Sequence, residues 1–534
     1  MSQSITFKQA ALVVAFIAVV QFIIQMSLLT KGVEYAAVSL TIDDTYYYLQ
    51  TAWNAKHLGF VTFDGLHPTN GVQLLWFVLI LIFTVLVKTK TALLFVTLAV
   101  CFLLNALCYI FILKIGAVIK QPPLALFMAG LWFLQSLPFR IYSMGMENSL
   151  HALIFFCAIW QSLVFLIRVQ NGDKPNYWGL TLTLVLNAWT RLDSALHSAI
   201  LYSFCMGTLL YTNRHNLRVF LQENIKAITG SVVLVCFGFI AQLSAFQLMG
   251  DSFLPISAIV KTSGAGRGLG IESLNKFVEV FILGMPSILQ GRTPELVLIL
   301  LGIFCVLLVI RARATLPGHL KELMAFLNLW CCLLVSELFY HIYIAVSGAD
   351  YVIYFAWYRS PSFIFWIITF SLAALFSFDR LKLVKFQSNA YKWIPVAACL
   401  TIFFVAIYLF LRSINFTSNL YAARYNTSLW ITENFQTDAI FASWNAGQLG
   451  FFSNRTFINL DGVINNVDYY ERVLRGPDSI ADYLFENNVD YLVDYATYGA
   501  VPDFPIVYSF PIDDGSGRSI HIWQVSPQVS STPK

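Results

Sequence analysis

Twelve long apolar runs separated by polar loops constrain this chain more than any other feature. They lie at 10–29, 72–87, 91–113, 122–139, 149–167, 177–190, 195–211, 227–249, 295–311, 322–345, 361–378 and 393–411. A helix needs about 20 apolar residues to cross a bilayer, and several of these runs are near the minimum. Composition agrees: 58% of residues are hydrophobic and 12% charged, with a mean hydropathy of +0.69. That is far more apolar than a soluble globular protein. The expectation is an all-α polytopic membrane domain. The run at 10–29 lacks a small-x-small cleavage site and reads as a retained anchor. A net charge of +4 is too small to suggest a nucleic-acid partner.

Basic loops orient the second half. Arg214, Arg218 and Lys226, then Arg311, Arg313 and Lys321, then Arg380, Lys382, Lys385 and Lys392 mark cytoplasmic connections. Twelve crossings would return the C-terminus to the side of the N-terminus, whereas these charges ask for opposite sides. Eleven or thirteen crossings are therefore expected. Either 72–87 is re-entrant, or the pair of runs around Arg191 and Asp193 is one broken helix. This orientation puts the loop 30–71, the loop before Glu147, the Arg191 region and the glycine-marked connection 250–294 on the outer face.

After residue 412 the composition becomes soluble. A helical pattern at Leu420 to Phe435 leads into short apolar runs at 439–442, 456–460, 490–493, 506–510 and 519–525, with helical stretches between several of them. The chain thus divides into a membrane domain, 1–412, and a small extracytoplasmic α/β domain, 413–534. Trp444 to Gly450 and Asn459-Leu460-Asp461-Gly462 read as ordinary strand-to-helix turn chemistry.

All nine cysteines, from Cys101 to Cys399, fall in apolar segments, so disulfides and thiolate metal sites are excluded from the first loop and the C-terminal domain. There is no CxxC, HExxH or GxxxxGK[ST] pattern, which removes the usual signatures of zinc chemistry and ATP-driven transport. No cofactor is expected. Clustered carboxylates are the ligands a hard divalent ion takes, but a metal site is not part of the reading.

The chemistry concentrates between Leu40 and Trp76. Asp43 and Asp44 are adjacent and precede three tyrosines, and Asp64 and His67 stand in Asp64-Gly65-Leu66-His67-Pro68-Thr69-Asn70-Gly71. An Asp ahead of a helix commonly caps it, and 46–56 reads as a short helix ended by Gly59. One Asp suffices for that task. The other remains as a carboxylate at a membrane surface, where such groups serve as general bases.

These residues resemble the GT-C class of integral-membrane glycosyltransferases, whose first external loop carries an acidic pair. Asp43-Asp44 with Tyr46-Tyr47-Tyr48 and the Asp64–Gly71 segment carry the resemblance, with weaker matches at Ser143 to Glu147, Arg191-Leu192-Asp193, Gly250 to Pro255 with Lys261, and Tyr358-Arg359. The C-terminal domain resembles tails of uncharacterised bacterial members. The chain departs from the oligosaccharyltransferases in lacking a Trp-Trp-Asp-type motif, so protein N-glycosylation is not expected.

The resemblance implies transfer of a sugar from a polyprenyl-phosphate donor to a glycan, lipid or protein acceptor on the outer face of a membrane, in a bacterial inner membrane, with inversion. Asp43 would be the base and Asp44 would cap a helix or orient the acceptor. Asp64, His67, Glu147, Arg191, Asp193, Lys261 and Arg359 would bind substrates, with Arg191, Lys261, Arg267 and Arg359 as the cations for the departing phosphate. Each has a plainer reading. Arg191 and Asp193 could neutralise one another at a helix break, Glu147 could favour a helix start, His67 could serve a turn, and Tyr358 and Arg359 could be interfacial anchors. The alternatives are a secondary transporter or a non-catalytic envelope assembly or scaffold protein. Convergence of Asp43, Arg191 and Arg359 on one cavity open to lipid would separate the enzyme from the scaffold.

Overall fold

The computed structural model describes residues 5–262, 270–283, 285, 295–317, 320–347, 356–383, 393–414, 418–495 and 504–525. Arg267 lies outside them. The twelve expected apolar segments are all helical. Among the described residues, eight helices are long and apolar enough to cross a membrane: Phe7–Leu29, Lys90–Val118, Asn148–Asn171, Arg214–Gly250, Val297–Thr315, Lys321–Ser347, Ala356–Ser377 and Ile394–Ser413. That is fewer than the eleven or thirteen crossings expected. The other four segments form Leu74–Leu86, Pro122–Ser136, Tyr177–Thr190 and Ser194–Thr212, which fall short in length or hydropathy.

Burial separates two kinds of helix. Side chains of Ala356–Ser377, Asn148–Asn171 and Lys321–Ser347 are mostly inside, whereas Phe7–Leu29, Arg214–Gly250 and Ile394–Ser413 turn most of their surface outward. An apolar helix that leaves large hydrophobic side chains uncovered suits a lipid-facing ring around a packed centre. Trp76, Trp132, Trp330 and Trp366 fill that centre.

The helix Asp43–Leu58 begins three residues earlier than its periodicity suggests and ends at Gly59, whose φ of 83° is the left-handed cap. Its N-cap position is Ile42, with no side-chain cap bond. Both aspartates lie inside its first turn, so neither is its N-cap.

The C-terminal domain is a five-stranded sheet in the order β2-β1-β3-β5-β4. The strands are β1 (Ile440–Ser443), β2 (Thr456–Asn459), β3 (Tyr491–Asp494), β4 (Ile506–Pro511) and β5 (Ser519–Gln524), each within a residue or two of its apolar run. Strands β1, β2 and β3 are parallel, while β5 pairs antiparallel with β3 and β4. Ser443 stands opposite Asn459 in the register of β1 and β2, and Ser443 Oγ donates to Asp494 Oδ2 at the end of β3 (3.0 Å). The carboxyl ends of the parallel strands thus share one edge. That edge rests on the membrane domain: Asn459 Nδ2 donates to the Tyr47 hydroxyl (3.2 Å) and Thr69 Oγ1 to the Asn465 carbonyl (2.8 Å).

Candidate functional site

The adjacent aspartates point into different surroundings. Asp43 is buried, and its two oxygens accept from the backbone N–H groups of Gly447 (3.1 Å) and Gln448 (2.8 Å). These are free donors in the first turn of the helix Ala446–Ser453, and a carboxylate there satisfies both. Arg424 Nη1 lies 3.8 Å from Asp43 Oδ1. The approach requires a glycine, because a Cβ at position 447 would come within 2.3 Å of the Asp43 carbonyl oxygen. Asp43 does cap a helix, but one about four hundred residues away in sequence.

Asp44 is half-buried and makes no hydrogen bond to a described side chain. Burial raises its carboxyl to about 6, with Lys261 opposing the shift and Asp43 and Glu147 adding to it. It lines a small polar pocket with Tyr47, Tyr48, Gln73, Glu147, Lys261 and Tyr358. Spacing explains the set: positions 44, 47 and 48 fall on one helix face. The two phenols are held from opposite sides, Tyr48 donating to Glu147 Oε2 (3.0 Å) and Tyr47 to Asp461 Oδ2 (3.3 Å). Lys261 donates to the Tyr358 hydroxyl. Burial opposes its charge, but Tyr358 and Asp44 outweigh this and hold the ammonium above its ordinary range.

Gln73, Ser257, Lys261 and Tyr358 also line a second cavity of about 550 Å³, so the two spaces adjoin. Its walls include Arg191, Asp193 and Tyr340, and also Phe339, Ile342 and Tyr343. These last three are largely exposed on the outer surface of a membrane helix. The cavity therefore runs from the ammonium of Lys261, which it shares with the Asp44 pocket, to partly exposed apolar side chains of the helix Lys321–Ser347.

Arg191 is the buried hub behind this wall. Its Nε and Nη2 donate to the two oxygens of Asp193 (3.1 and 2.8 Å), and Nη1 donates to Glu147 Oε1 (3.0 Å) and the Trp357 carbonyl (3.1 Å). Tyr340 donates to Asp193 Oδ2 (3.0 Å). A fork held by two carboxylates in a buried setting costs much desolvation, and removing one partner strands the rest. The mutual neutralisation of Arg191 and Asp193 is present, together with a place on the cavity wall.

Other candidates are engaged elsewhere. Asp64 Oδ1 accepts from the backbone N–H of Leu66 and His67 (2.8 Å each), and Asp64 Oδ2 lies 2.8 Å from His67 Nδ1, a pin internal to the loop. Asn70 donates to the carbonyls of Phe246, Ser252 and Leu254 and accepts from Ile256 N–H (2.7 Å), which sets the start of the helix bearing Lys261. Arg359 is buried and donates to the Leu283 carbonyl (2.8 Å). Asp43, Asp64, His67 and Arg359 do not line either space, so the expected convergence of Asp43, Arg191 and Arg359 does not occur. Arg191 lines the larger cavity and Asp44 the small pocket, with Lys261 on both.

Asp461 and Asn459 are turn residues, as their setting predicts: Val463 N–H donates to Asp461 Oδ1 (2.9 Å) and Gly462 N–H to Asn459 Oδ1 (3.0 Å). They also face the Asp44 pocket through Tyr47. Burial, followed by Asp44 and Asp43 against the opposing Val463 N–H and Lys261, raises the Asp461 carboxyl to about 7. Among the described residues, no group of three His, Cys, Asp or Glu side chains is arranged to hold a metal ion.

Residues 414–526 match a family described as Domain of unknown function (DUF8728). No curated protein matches the chain. Among solved structures, ArnT of Cupriavidus metallidurans bound to undecaprenyl phosphate is similar over 96% of this chain and 97% of that one, at 11% identity and a TM-score of 0.53. The apo oligosaccharyltransferase of Archaeoglobus fulgidus is similar over 91% of this chain and 69% of that one, at 14% identity and a TM-score of 0.47. The chain is a multi-pass integral membrane protein with a GT-C-like fold and a small C-terminal α/β domain.

Proposed function

We propose that this protein transfers a sugar from a polyprenyl-phosphate donor to an acceptor hydroxyl of a glycan, lipid or protein on the outer face of the membrane, with Asp44 as the base. The observation that carries the reading is the adjoining pair of spaces. Asp44 and Lys261 stand together at the polar end, and the other end opens past apolar, outward-facing side chains. A donor with an ionic head and an isoprenoid tail has that same polarity. The undecaprenyl phosphate in the similar ArnT structure supports the donor class.

The acceptor oxygen forms a bond to the anomeric carbon as its proton passes to the Asp44 carboxylate, and the bond from that carbon to the phosphate oxygen breaks. Lys261 stabilises the charge on the departing polyprenyl phosphate. Attack opposite the leaving group inverts the anomeric centre. Asp43 acts at one remove: by holding the helix Ala446–Ser453 it fixes the first turn that carries Asp44. In this proposal the two aspartates exchange the roles that the resemblance implies for them. Residues 1–412 are the catalytic membrane domain and 413–534 a domain on the outer side, in keeping with the basic loops expected at the cytoplasm.

The test is uptake of undecaprenyl phosphate by the purified full chain in nanodiscs, followed by native mass spectrometry. Wild-type protein binds it, and Lys261→Ala binds it at least 10-fold more weakly. No uptake by the wild type, or equal uptake by Lys261→Ala, removes the donor assignment.

A further inference from the structure

In open α/β sheets, ligands are bound at the carboxyl ends of the parallel strands. Here that edge faces the polar pocket of the membrane domain. The turn after β2 is wedged into the pocket wall. A Cβ at Gly71 would meet the Val463 carbonyl oxygen at 2.2 Å, and one at Gly462, where φ is +83°, would meet Val260 Cγ2 at 3.3 Å, next to Lys261. Val463 itself lines the pocket with Asp44. Asn465 Nδ2 donates to the Asn459 carbonyl (2.6 Å), so the turn is held internally as well as across the domain boundary.

We propose that the C-terminal domain is the acceptor-reading half of the site: Asp461 and Asn459 at the end of β2, with Tyr47 of the membrane domain, bind the hydroxyl groups of a carbohydrate acceptor beside Asp44. The inference rests on the transferase reading above and narrows its acceptor from a glycan, lipid or protein to a polyhydroxylated sugar. A carboxylate, a primary amide and a phenol offer both acceptors and donors to vicinal hydroxyls. Tyr47 already joins the three, accepting from Asn459 Nδ2 (3.2 Å) and donating to Asp461 Oδ2 (3.3 Å). Tyr47 lines the pocket itself, and Asn459 and Asp461 stand one hydrogen bond behind it. The neighbouring cation, Arg424, is turned to Asp43 Oδ1 at 3.8 Å and is packed against the rings of Tyr421 and Tyr495, so it is not directed into the pocket. Burial makes both Asp44 and Asp461 weaker acids than an exposed carboxyl, as fits two carboxylates that share a desolvated site.

The test is saturation-transfer NMR on the full chain in nanodiscs. The probes are the methyl glycosides of glucose, galactose, mannose and N-acetylglucosamine, a Ser/Thr-containing peptide, and undecaprenyl phosphate by native mass spectrometry. Wild-type protein saturates at least one glycoside and not the peptide. Asp461→Asn keeps the turn bond to Val463 but removes the charge, and weakens that glycoside about 10- to 100-fold, with melting temperature as the folding control. Tyr47→Phe weakens it as well, while Asp461→Asn takes up undecaprenyl phosphate within twofold of wild type. Glycoside binding unchanged in Asp461→Asn, capture of the peptide alone, or a wild type that saturates no glycoside overturns the inference. Loss of undecaprenyl phosphate uptake with glycoside binding intact sinks the donor reading and leaves the acceptor site standing.

Discussion

Replacing Asp44 by Asn should stop transfer and strengthen the fold at once. The carboxyl has a value of about 6 in place of 3.8, and two units correspond to about 3 kcal/mol. Because the folded protein holds this proton more tightly than the unfolded chain, the contribution is favourable below about pH 4 and is lost as pH rises through about 6. At pH 7 the ionised side chain is thus a burden on the native state, which the amide relieves. Asp44→Asn should melt at the wild-type temperature or above it. Its rate should fall about 10²- to 10⁴-fold with the loss of a positioned base, and in wild type kcat/KM should drop tenfold per unit below about pH 6. Asp43→Asn should behave in the opposite way, since one oxygen must replace two that accept from Gly447 and Gln448. A loss of about 1.5–3 kcal/mol is expected, with activity falling in proportion to the undocked fraction. The assay is release of polyprenyl phosphate from labelled donor in membranes that contain the native acceptor, with melting curves run in parallel. Wild-type turnover in Asp44→Asn would refute the assignment of the base, and a destabilised Asp44→Asn would refute the electrostatic argument.

Gly447→Ala forces the helix Ala446–Ser453 away from the Asp43 carbonyl, at about 1–3 kcal/mol, and should accelerate tryptic cleavage after Arg424, which is buried when the domains are docked. Arg191→Ala leaves Glu147 and Asp193 without their shared counter-charge and should lower stability by about 3–5 kcal/mol, measured by thermal melting in detergent. Asn70→Ala removes four hydrogen bonds to the segment before the Lys261 helix and should reduce undecaprenyl phosphate uptake at least as far as Lys261→Ala does.

Elements whose identity depends on local periodicity were legible in the sequence. Each long apolar run is a helix, and the five strands of the C-terminal sheet sit where short apolar runs lie between polar turns. The count of crossings was not legible, because Tyr177–Thr190 and Ser194–Thr212 are interrupted by the extended residue Arg191 and the charges that break them are neutralised inside the protein. Sequence spacing brought out Asp43 and Asp44 as a pair but held nothing to tell them apart, since the difference is made by Gly447. Asp64 and His67 looked like site residues because their chemistry suits one, yet their nearest partners are each other. Asn459 and Asp461 were masked by their own turn. The same side chains that close a local bend also meet Tyr47, and only the docked edge of the sheet reveals the second use.

The bond from Asp43 to Gly447 and Gln448 joins the beginning of the chain to a segment made near its end. During synthesis the tyrosine face of Asp43–Leu58 must therefore wait, with its polar groups uncovered, until the segment 404 residues further on has been made. A chain released early would carry every long apolar helix and still lack the Val463 wall of the pocket. The pocket around Asp44 is thus closed only by a chain that extends past Val463.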